Sequence, residues 1–413
     1  MSNKDLEYVL ESIDNDRSSI IETLSKLISI PAIAPELEGS GEWEKAAYIE
    51  QRLDGLGIKD IIRYNSPDDR VKSKARPNLA AMIEGRSRKG RLVLIAHMDV
   101  VPPGDRSLWI SDPFTAVVKE GRIYGRGTED NGQSLTALIH AAAGITRTKS
   151  VPEHDIALVF VSDEEVTSEH GIGYLIEKGF FRPDDIILVL DHGTPDGRLI
   201  EVSEKSILWV KVTTTGQQAH ASMPDMGNNA LRAGMQFGCR ADEALHSRFD
   251  LEDSIFDRPY STFEPTKKEA NVPNINTVPG EDVFYMDCRL LPTYKTADVM
   301  EALEEVAAEV ASETGVHIQL EAMDVEEAAP PTPKDAPVVK LLTEAVDAIY
   351  HNEPYAGGIG GGTCAALLRK AGLKAAVWET VDNMAHSANE YAVVNNLIGD
   401  CKVLAALMLG SSP

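Results

Sequence analysis

The chain has 413 residues, 43% of them hydrophobic and 25% charged, a balance that excludes collagen-like, disulfide-scaffold and disordered classes. At about 100–200 residues per domain, two or three domains are expected, each with its own core. Forty Lys and Arg against 65 Asp and Glu give a net charge of −25, a surface that repels phosphate backbones and anionic membranes, so neither nucleic acid nor membrane is expected as a partner. Residues 6–29 place Leu6, Val9, Leu10, Ile13, Ile20, Ile21, Leu24, Leu27 and Ile28 at helical spacing, ending before Pro31. A second helix is predicted over 42–56, stopping at Gly57. Short apolar runs then alternate with helical segments: LVLIA (92–96), a helix over 132–146, IALVFV (156–161), a helix near 170–178, and IILVL (186–190). Runs that are apolar on both faces and alternate with helices predict a mostly parallel sheet flanked by helices, an α/β domain.

From about residue 205 the texture changes. ILWVKVTTT alternates like a half-exposed strand, and NNALRAGMQFGCRADEAL reads as a helix. Extended material follows over 261–279, then the strand DVFYMDCRL, the helix ADVMEALEEVAAEVASET and the strand HIQLEAM. This order, β-α-β-β-α-β, is the split ferredoxin-like unit. AAPPTPKDAP (328–337) reads as a linker, after which VVKLLTEAVDAI, CAALLRKAG and KAAVWE return to the α/β texture. The reading is one α/β domain over 1–204 and 330–413, interrupted by an inserted α+β domain over 205–329.

Open α/β sheets hold ligands beyond the carboxyl ends of their strands. LVLIA is followed by His97 and Asp99, IALVFV by Asp163, Glu164 and Glu165, IILVL by Asp191 and His192, and KAAVWE by Asp382 and His386. One such residue alone reads as a loop cap. Several carboxylates gathered at one sheet edge repel one another, so a metal is the better account of the set. His97 and Asp99, two apart, share one face of an extended segment, which suits an imidazole ligand oriented by a carboxylate. YGRGTEDNGQS offers Asp130 between glycine-rich backbone and a helix start, and an Asn-Gly turn with a helix cap is its other reading. The neighbours Glu164 and Glu165 can point apart, one as base and one as ligand, or both can be solvated. GGIGGGT (357–363) lacks the lysine of a phosphate loop, since Thr363 follows Gly362, and this counts against nucleotide binding.

AHMDVVPPGD, IYGRGTEDNGQS, SDEEVTSEHG, TTTGQQAHASMP, NTVPG with DCRLLP, GGGT and MAHSANE occur in this order between residues 96 and 390. Together they resemble the co-catalytic zinc metallopeptidases that include aminoacylase-1, carboxypeptidase G, succinyl-diaminopimelate desuccinylase, acetylornithine deacetylase, peptidase T and the carnosine dipeptidases. The resemblance implies two divalent metal ions, zinc first with cobalt or manganese as substitutes, bridged by Asp130. His97 and Asp191 would complete one site, Glu165 and His386 the other. Glu164 would be the general base and Asp99 would orient His97. In the inserted lid, His220 would reach the partner subunit's active site, and Asn276 and Arg289 would hold the substrate, with Gly362 and Thr363 on the opposite wall. A cis peptide is implied after Asp130.

The resemblance thus implies a homodimeric amidohydrolase, joined through the lid, acting on a small peptide or N-acyl amino acid. In that family Asp at position 191 accompanies aminopeptidases and dipeptidases, and Glu accompanies deacylases and carboxypeptidases. The expected function is therefore dipeptidase-like, with an N-acyl amino acid deacylase as the alternative. A binding protein that had lost catalysis would show a broken ligand set, yet every ligand position and the base are occupied by competent residues. Cys239, Cys288, Cys364 and Cys401 form no C-x-x-C and suit a reducing compartment. The acidic, periodic N-terminus is unlike a signal peptide, and no apolar run reaches membrane-spanning length, so a cytoplasmic location is expected.

Overall fold

The four apolar runs preceding the candidate ligands lie side by side as parallel strands in the computed structural model, which describes residues 3–410. His154–Val161, Ser87–His97, Ile186–Val189 and Ala375–Val377 are neighbours in that order. Ile95 pairs with Val159 on one side and Val189 on the other, and Val189 pairs with Val377. Residues 92–96 are buried throughout, as a strand covered by helices on both faces requires.

Four strands that the sequence reading did not anticipate extend this sheet to eight: Ile61–Pro67 and Ala75–Ile83 at one edge, Leu199–Glu204 and Tyr355–Ile359 at the other. Their runs carry Arg, Asn, Pro, Glu or Gly, which mask a strand signal. Glu201 is nonetheless fully buried, because Arg369 donates to both of its carboxylate oxygens at 2.8 and 3.1 Å.

The single helix expected over 6–29 is two helices, Asn3–Asp14 and Arg17–Ile28. The break is tertiary in origin. Asp16 sits between them, 2.6 Å from the His140 ring, and accepts from Arg147 at 2.8 Å. Both partners lie on the helix Ser134–Thr148, of which residues 134–145 are buried. Its small residues admit close neighbours: a Cβ on Gly144 would stand 3.2 Å from Ile13 and 3.3 Å from Val9. The helix Val394–Leu409 was also missed, for it has almost no polar face and hence no amphipathic period.

The expected β-α-β-β-α-β order is present as Ser206–Thr215, Ala230–Arg248, Thr262–Lys268, Glu281–Leu290, Thr296–Thr314 and His317–Glu326. From edge to edge the antiparallel sheet runs Thr262–Lys268, Glu281–Leu290, Ser206–Thr215, His317–Glu326, the ferredoxin-like arrangement. Leu208, Val210 and Val212 point into a core with Phe237, Phe263 and Leu303, whereas Trp209 between them is exposed. The Asn229 side chain accepts from Arg232 N–H to open the first helix, and Gly315 closes the second with φ +71°.

By contact the chain divides into two compact units. One holds the residues up to Val202, Pro331–Gly357 and those from Thr363 on; the other holds Ser203–Pro330 and Gly358–Gly362. The second unit's core rests on Phe237, which is fully buried. Phe237→Ala is expected to destabilise that unit by about 3–5 kcal/mol, read as a lowered midpoint in chemical denaturation. An unchanged midpoint would contradict this packing.

Candidate metal centre

Parallel strands deliver their carboxyl ends to one edge, and the candidate ligands gather there. His97 is the last residue of its strand, paired in register with Val161, three residues before Glu164. Asp191 lies two residues past the strand Ile186–Val189. His386 lies in the loop after Ala375–Val377, and Asp130 in an irregular turn, Thr128–Gln133, before the helix that starts at Ser134. That turn is tight: a Cβ on Gly132 would fall 2.3 Å from the Gly127 carbonyl oxygen.

Two groups of metal-competent atoms result, His97 with Asp130 and Asp191, and Asp130 with Glu165 and His386; within each the atoms lie within 4.8 Å of one another. Asp130 belongs to both. Its Oδ1 is 2.8 Å from His97 Nε2, and its Oδ2 is 3.1 Å from His386 Nε2. His97 Nε2 is also 3.3 Å from Asp191 Oδ1, and His386 Nε2 is 2.9 Å from Glu165 Oε2. The Asp130–Asn131 peptide is cis.

The residues fit a pair of divalent cations. His97 Nε2 and Asp130 Oδ1 are buried and face each other, yet neither makes a hydrogen bond of good geometry. Buried polar atoms aimed at a common point without partners are what ligand atoms look like. Imidazole nitrogens with carboxylate oxygens suit zinc, cobalt or manganese. The protein's own charges show the same need. Burial, and then Asp191, hold the Glu164 carboxyl well above the usual range. Burial and Asp130 push Glu165 up to about 7. The hydrogen-bonded carboxylates of Asp130 and Glu165 raise His386 to about 10. Burial works against an ionised Asp130, but the rings of His386 and His97 outweigh it and lower this carboxyl. A cation in place of these protons satisfies the same groups.

Asp99 stands beside His97 and also holds a second set of partners. The nearest partner of His97 Nδ1 is the Asp99 carbonyl oxygen at 3.1 Å, and the carboxylate Oδ1 stands at 3.6 Å. The Asp99 carboxylate, fully buried, also accepts from the backbone N–H of Glu164 at 3.0 Å and of Glu165 at 2.9 Å. Past the strand end, its side chain turns toward the neighbouring strand, so it fixes the turn that carries both glutamates. Glu164 Oε1 accepts from Cys364 N–H at 3.1 Å, and Glu165 Oε1 from Val101 N–H at 3.2 Å. Asn131 Nδ2 donates to the Leu190 carbonyl at 2.7 Å and to Asp191 Oδ1 at 3.2 Å. The sequence reading also missed Glu129 and Glu390, buried carboxylates that bond the backbone around Asp130 and His386. Their one available signal was position, one residue before Asp130 and four after His386.

In the second unit His220 and Asn276 come together. Ala219–His220 pairs antiparallel with Thr277–Val278, and Ala221 N–H donates to the Asn276 carbonyl at 2.8 Å. His220 Nδ1 accepts from Ser222 N–H at 3.1 Å. Arg289 lies apart from this ribbon, on the strand Glu281–Leu290. Its Nε and Nη2 donate to Asp287 at 2.6 and 2.9 Å, and its Nη1 to the Gly360 carbonyl at 3.1 Å. Gly362 belongs to this unit, with Glu326 and Ile207 nearest to where a Cβ would be. Thr363 begins the return to the first unit, where its Oγ1 accepts from Ala365 N–H at 3.2 Å.

The profile of peptidase family M20/M25/M40 matches residues 93–410. An uncharacterized metallohydrolase of Methanococcus maripaludis is 38% identical over 400 residues, covering 92% of this chain and 95% of its own. The succinyl-diaminopimelate desuccinylase 2 of Shewanella loihica is 28% identical over 284 residues, covering 68% of this chain and 70% of its own. Among solved structures, human carnosine dipeptidase 1 has the same fold, with a TM-score of 0.76, 98% of both chains covered and 18% identity. An M20 metallo-carboxypeptidase of Sulfolobus solfataricus gives a TM-score of 0.71 over 95% of this chain and 99% of that one, at 20% identity. The paired ligand groups and the family match agree: the chain belongs to peptidase family M20/M25/M40 and is a metallohydrolase.

Proposed function

We propose that the protein hydrolyses a peptide bond in a small carboxylate-bearing substrate, as a dipeptidase-like exopeptidase, at a pair of divalent ions, zinc first with cobalt or manganese as substitutes. The observation that carries this reading is Asp130, whose two oxygens face two different imidazoles, each beside a further carboxylate. His97, Asp191 and Asp130 would hold one ion; Glu165, His386 and Asp130 the other. Such a pair supplies the positive charge that polarises a scissile carbonyl and acidifies a water.

This chain's own residues do the rest. Glu164, tethered through one oxygen to Cys364 N–H, takes a proton as general base on its other oxygen and returns it to the leaving nitrogen. Asp99 is a positioning residue, through the Glu164–Glu165 backbone. In His220 the Ser222 amide donates to Nδ1, so the neutral ring carries its proton on Nε2, a donor suited to a developing oxyanion. Asn276 and Arg289 hold the substrate's backbone and carboxylate, and Gly362 with Thr363 lines the opposite wall. Asp191, where the resemblance associates Asp with dipeptidases, favours a peptide. The Shewanella loihica relative favours a second reading, an N-acyl amino acid deacylase such as a succinyl-diaminopimelate desuccinylase or acetylornithine deacetylase.

Residues 1–204 and 330–413 form the catalytic domain in this reading, and 205–329 a lid that also dimerises. The lid sheet's two edges, Thr262–Lys268 and His317–Glu326, support that role, because pairing two lids about a two-fold axis covers an edge. Four free cysteines support a cytoplasmic location. Among the described residues no helix is long and apolar enough to cross a membrane.

A panel of dipeptides, tripeptides, N-acetyl and N-succinyl amino acids, run with Zn²⁺, Co²⁺ and Mn²⁺, tests the reading. The highest kcat/KM is expected on dipeptides, and Glu164→Gln should lower it by about 10²-fold or more while both metals stay bound. Glu165→Gln should instead weaken one metal. Preference for N-succinyl substrates would transfer the assignment to the deacylase, and no hydrolysis in any arm would overturn both readings.

Removing metal with a chelator leaves carboxylates facing one another. Turnover should be lost and Tm lowered, and added metal should restore both, since a ligand that binds only the folded state stabilises it. Full activity in rigorously metal-free protein would exclude the centre.

Complementation tests His220. Inactive His220→Ala and inactive Glu164→Gln proteins are mixed and allowed to exchange subunits. If His220 serves the partner's site, a mixed dimer carries one intact site and activity partly returns. No recovery despite proven exchange would return His220 to its own subunit or leave it without a catalytic role.

A further inference from the structure

We infer that Glu129 and Glu390 form a reciprocal carboxylate brace that fixes the spacing of Asp130 and His386, and through it the affinity of one of the two cation positions. The inference rests on the two-cation reading above. It begins with a backbone that does not hold itself. Between the strands Ala375–Val377 and Tyr391–Val393 the chain has no regular structure, and Asn383, His386 and Asn389 sit at φ +59°, +62° and +61°. Left-handed conformations are costly for residues other than glycine, so contacts from outside the loop must select them.

Those contacts come from the segment that carries Asp130. Glu129 is 3% exposed; its Oε1 accepts from Asp382 N–H at 2.6 Å, and its Oε2 from Met384 N–H and from Ala385 N–H, the latter at 3.0 Å. Arg126 Nη2 donates to the His386 carbonyl at 3.2 Å. The reverse set comes from the His386 segment. Glu390, fully buried, accepts through Oε2 from Arg126 Nη1 at 2.6 Å and Gly127 N–H at 2.9 Å. Its Oε1 accepts from Glu129 N–H at 2.9 Å and Asp130 N–H at 3.1 Å. Each segment therefore supplies the acceptor for the other's backbone, and neither ligand can shift without the other.

A carboxylate is required at both places. Each Glu390 oxygen takes two donors, and a glutamine would turn its NH₂ toward one of those pairs. Glu129 likewise uses both oxygens, on three N–H groups. His97 is held separately, by its strand ladder, and Asp191 lies just past a strand of its own and accepts from Asn131. Asp130 is common to both positions, but only the Glu165–His386 position takes a second ligand from the braced segments, so loss of the brace should weaken that position the more.

Co²⁺ titration of the chelator-stripped full chain, followed by its d–d absorption and by bound-metal stoichiometry, tests this. Wild type should take up two equivalents. Glu129→Gln and Glu390→Gln should each bind one equivalent about 10–100-fold more weakly, the range for residues that orient metal ligands, and the other with a clearly smaller loss. The double variant should be no worse than the worse single one, because the two act as a unit. Asp185→Asn is the control for simple destabilisation. Asp185 accepts from Arg91 at 2.9 and 2.7 Å just before the strand Ile186–Val189, at the opposite end of the sheet, so this change should lower Tm and leave both affinities alone. Should either glutamine variant fail to fold, Glu129→Asp, which keeps the charge but shortens the reach, should show the same selective loss. Unchanged binding in the folded variants, equal weakening in the Asp185 control, or additive losses in the double variant would overturn the brace. Fewer than two equivalents in wild type would remove the two-cation reading itself, and the brace with it.

Discussion

Everything at the carboxyl edge of the central sheet follows from one carboxylate that must serve two imidazoles at once. For Asp130 to present Oδ1 to His97 and Oδ2 to His386, three more acidic groups, Glu164, Glu165 and Asp191, have to be held close by at a partly shielded edge. Like charges in a medium of low dielectric repel strongly. The fold answers with cations placed beneath the cluster. Arg76 is fully buried, bonded to Glu42 and 3.3 Å from Asp163. Lys45 is buried as well; its burial pulls the ammonium down to about 8, while Asp99 and Glu42 act to keep it charged. Arg126 lies against Glu390. These ions are poor sources of net stability, because desolvation offsets much of their attraction. Their contribution is to let a ring of carboxylates exist in one geometry before any metal arrives.

Backbone amides complete that arrangement. Asp99 takes the amides of Glu164 and Glu165, Glu390 those of Gly127, Glu129 and Asp130, and Glu129 those of the loop before His386. Hydrogen bonds from amides to a charged acceptor are stronger than neutral ones, and they locate peptide planes, not just side chains. A ligand carried on a fixed peptide plane has little freedom to drift when the metal is absent. Strands supply the coarse placement of the centre, and buried carboxylates supply the fine placement of the loops between them.

This division explains what could be read from the sequence. The parallel strands were legible because a strand buried on both faces is an uninterrupted apolar run, and the residues just beyond each run announced His97, Glu165, Asp191 and His386. The ferredoxin-like unit was legible because Leu208, Val210 and Val212 alternate with Trp209 and Lys211. Helix Val394–Leu409 was not, since a helix buried all round has no period to detect. The break at Asp16, the cap position of the second helix, is held by His140 more than a hundred residues away, a contact that the local sequence does not reveal. Glu129 and Glu390 were invisible for a related reason: a glutamate solvated on a loop and one that braces a loop are written with the same letter. Asp99 lies beside His97, but its hold on the Glu164 and Glu165 amides could not be read, because the groups it meets depend on how the chain leaves the strand.

The second unit applies the same economy to a cation. Arg289 is fixed along one edge by the Asp287 carboxylate, which also accepts from Trp209 Nε1 at 3.1 Å, and its Nη1 is engaged by the Gly360 carbonyl. An arginine so tied has lost much of its long-range field, for its charge is matched by a neighbour. What it keeps is a planar set of N–H groups in a known orientation. Recognition by such a group discriminates through direction more than through attraction: an acceptor that meets the remaining N–H bonds in plane is favoured, and a misaligned anion gains little. In a chain of net charge −25, this matters. A surface of that charge repels anions as a whole, and an arginine whose charge is matched, as Arg289 is by Asp287, adds a fixed donor direction without adding a broad positive field.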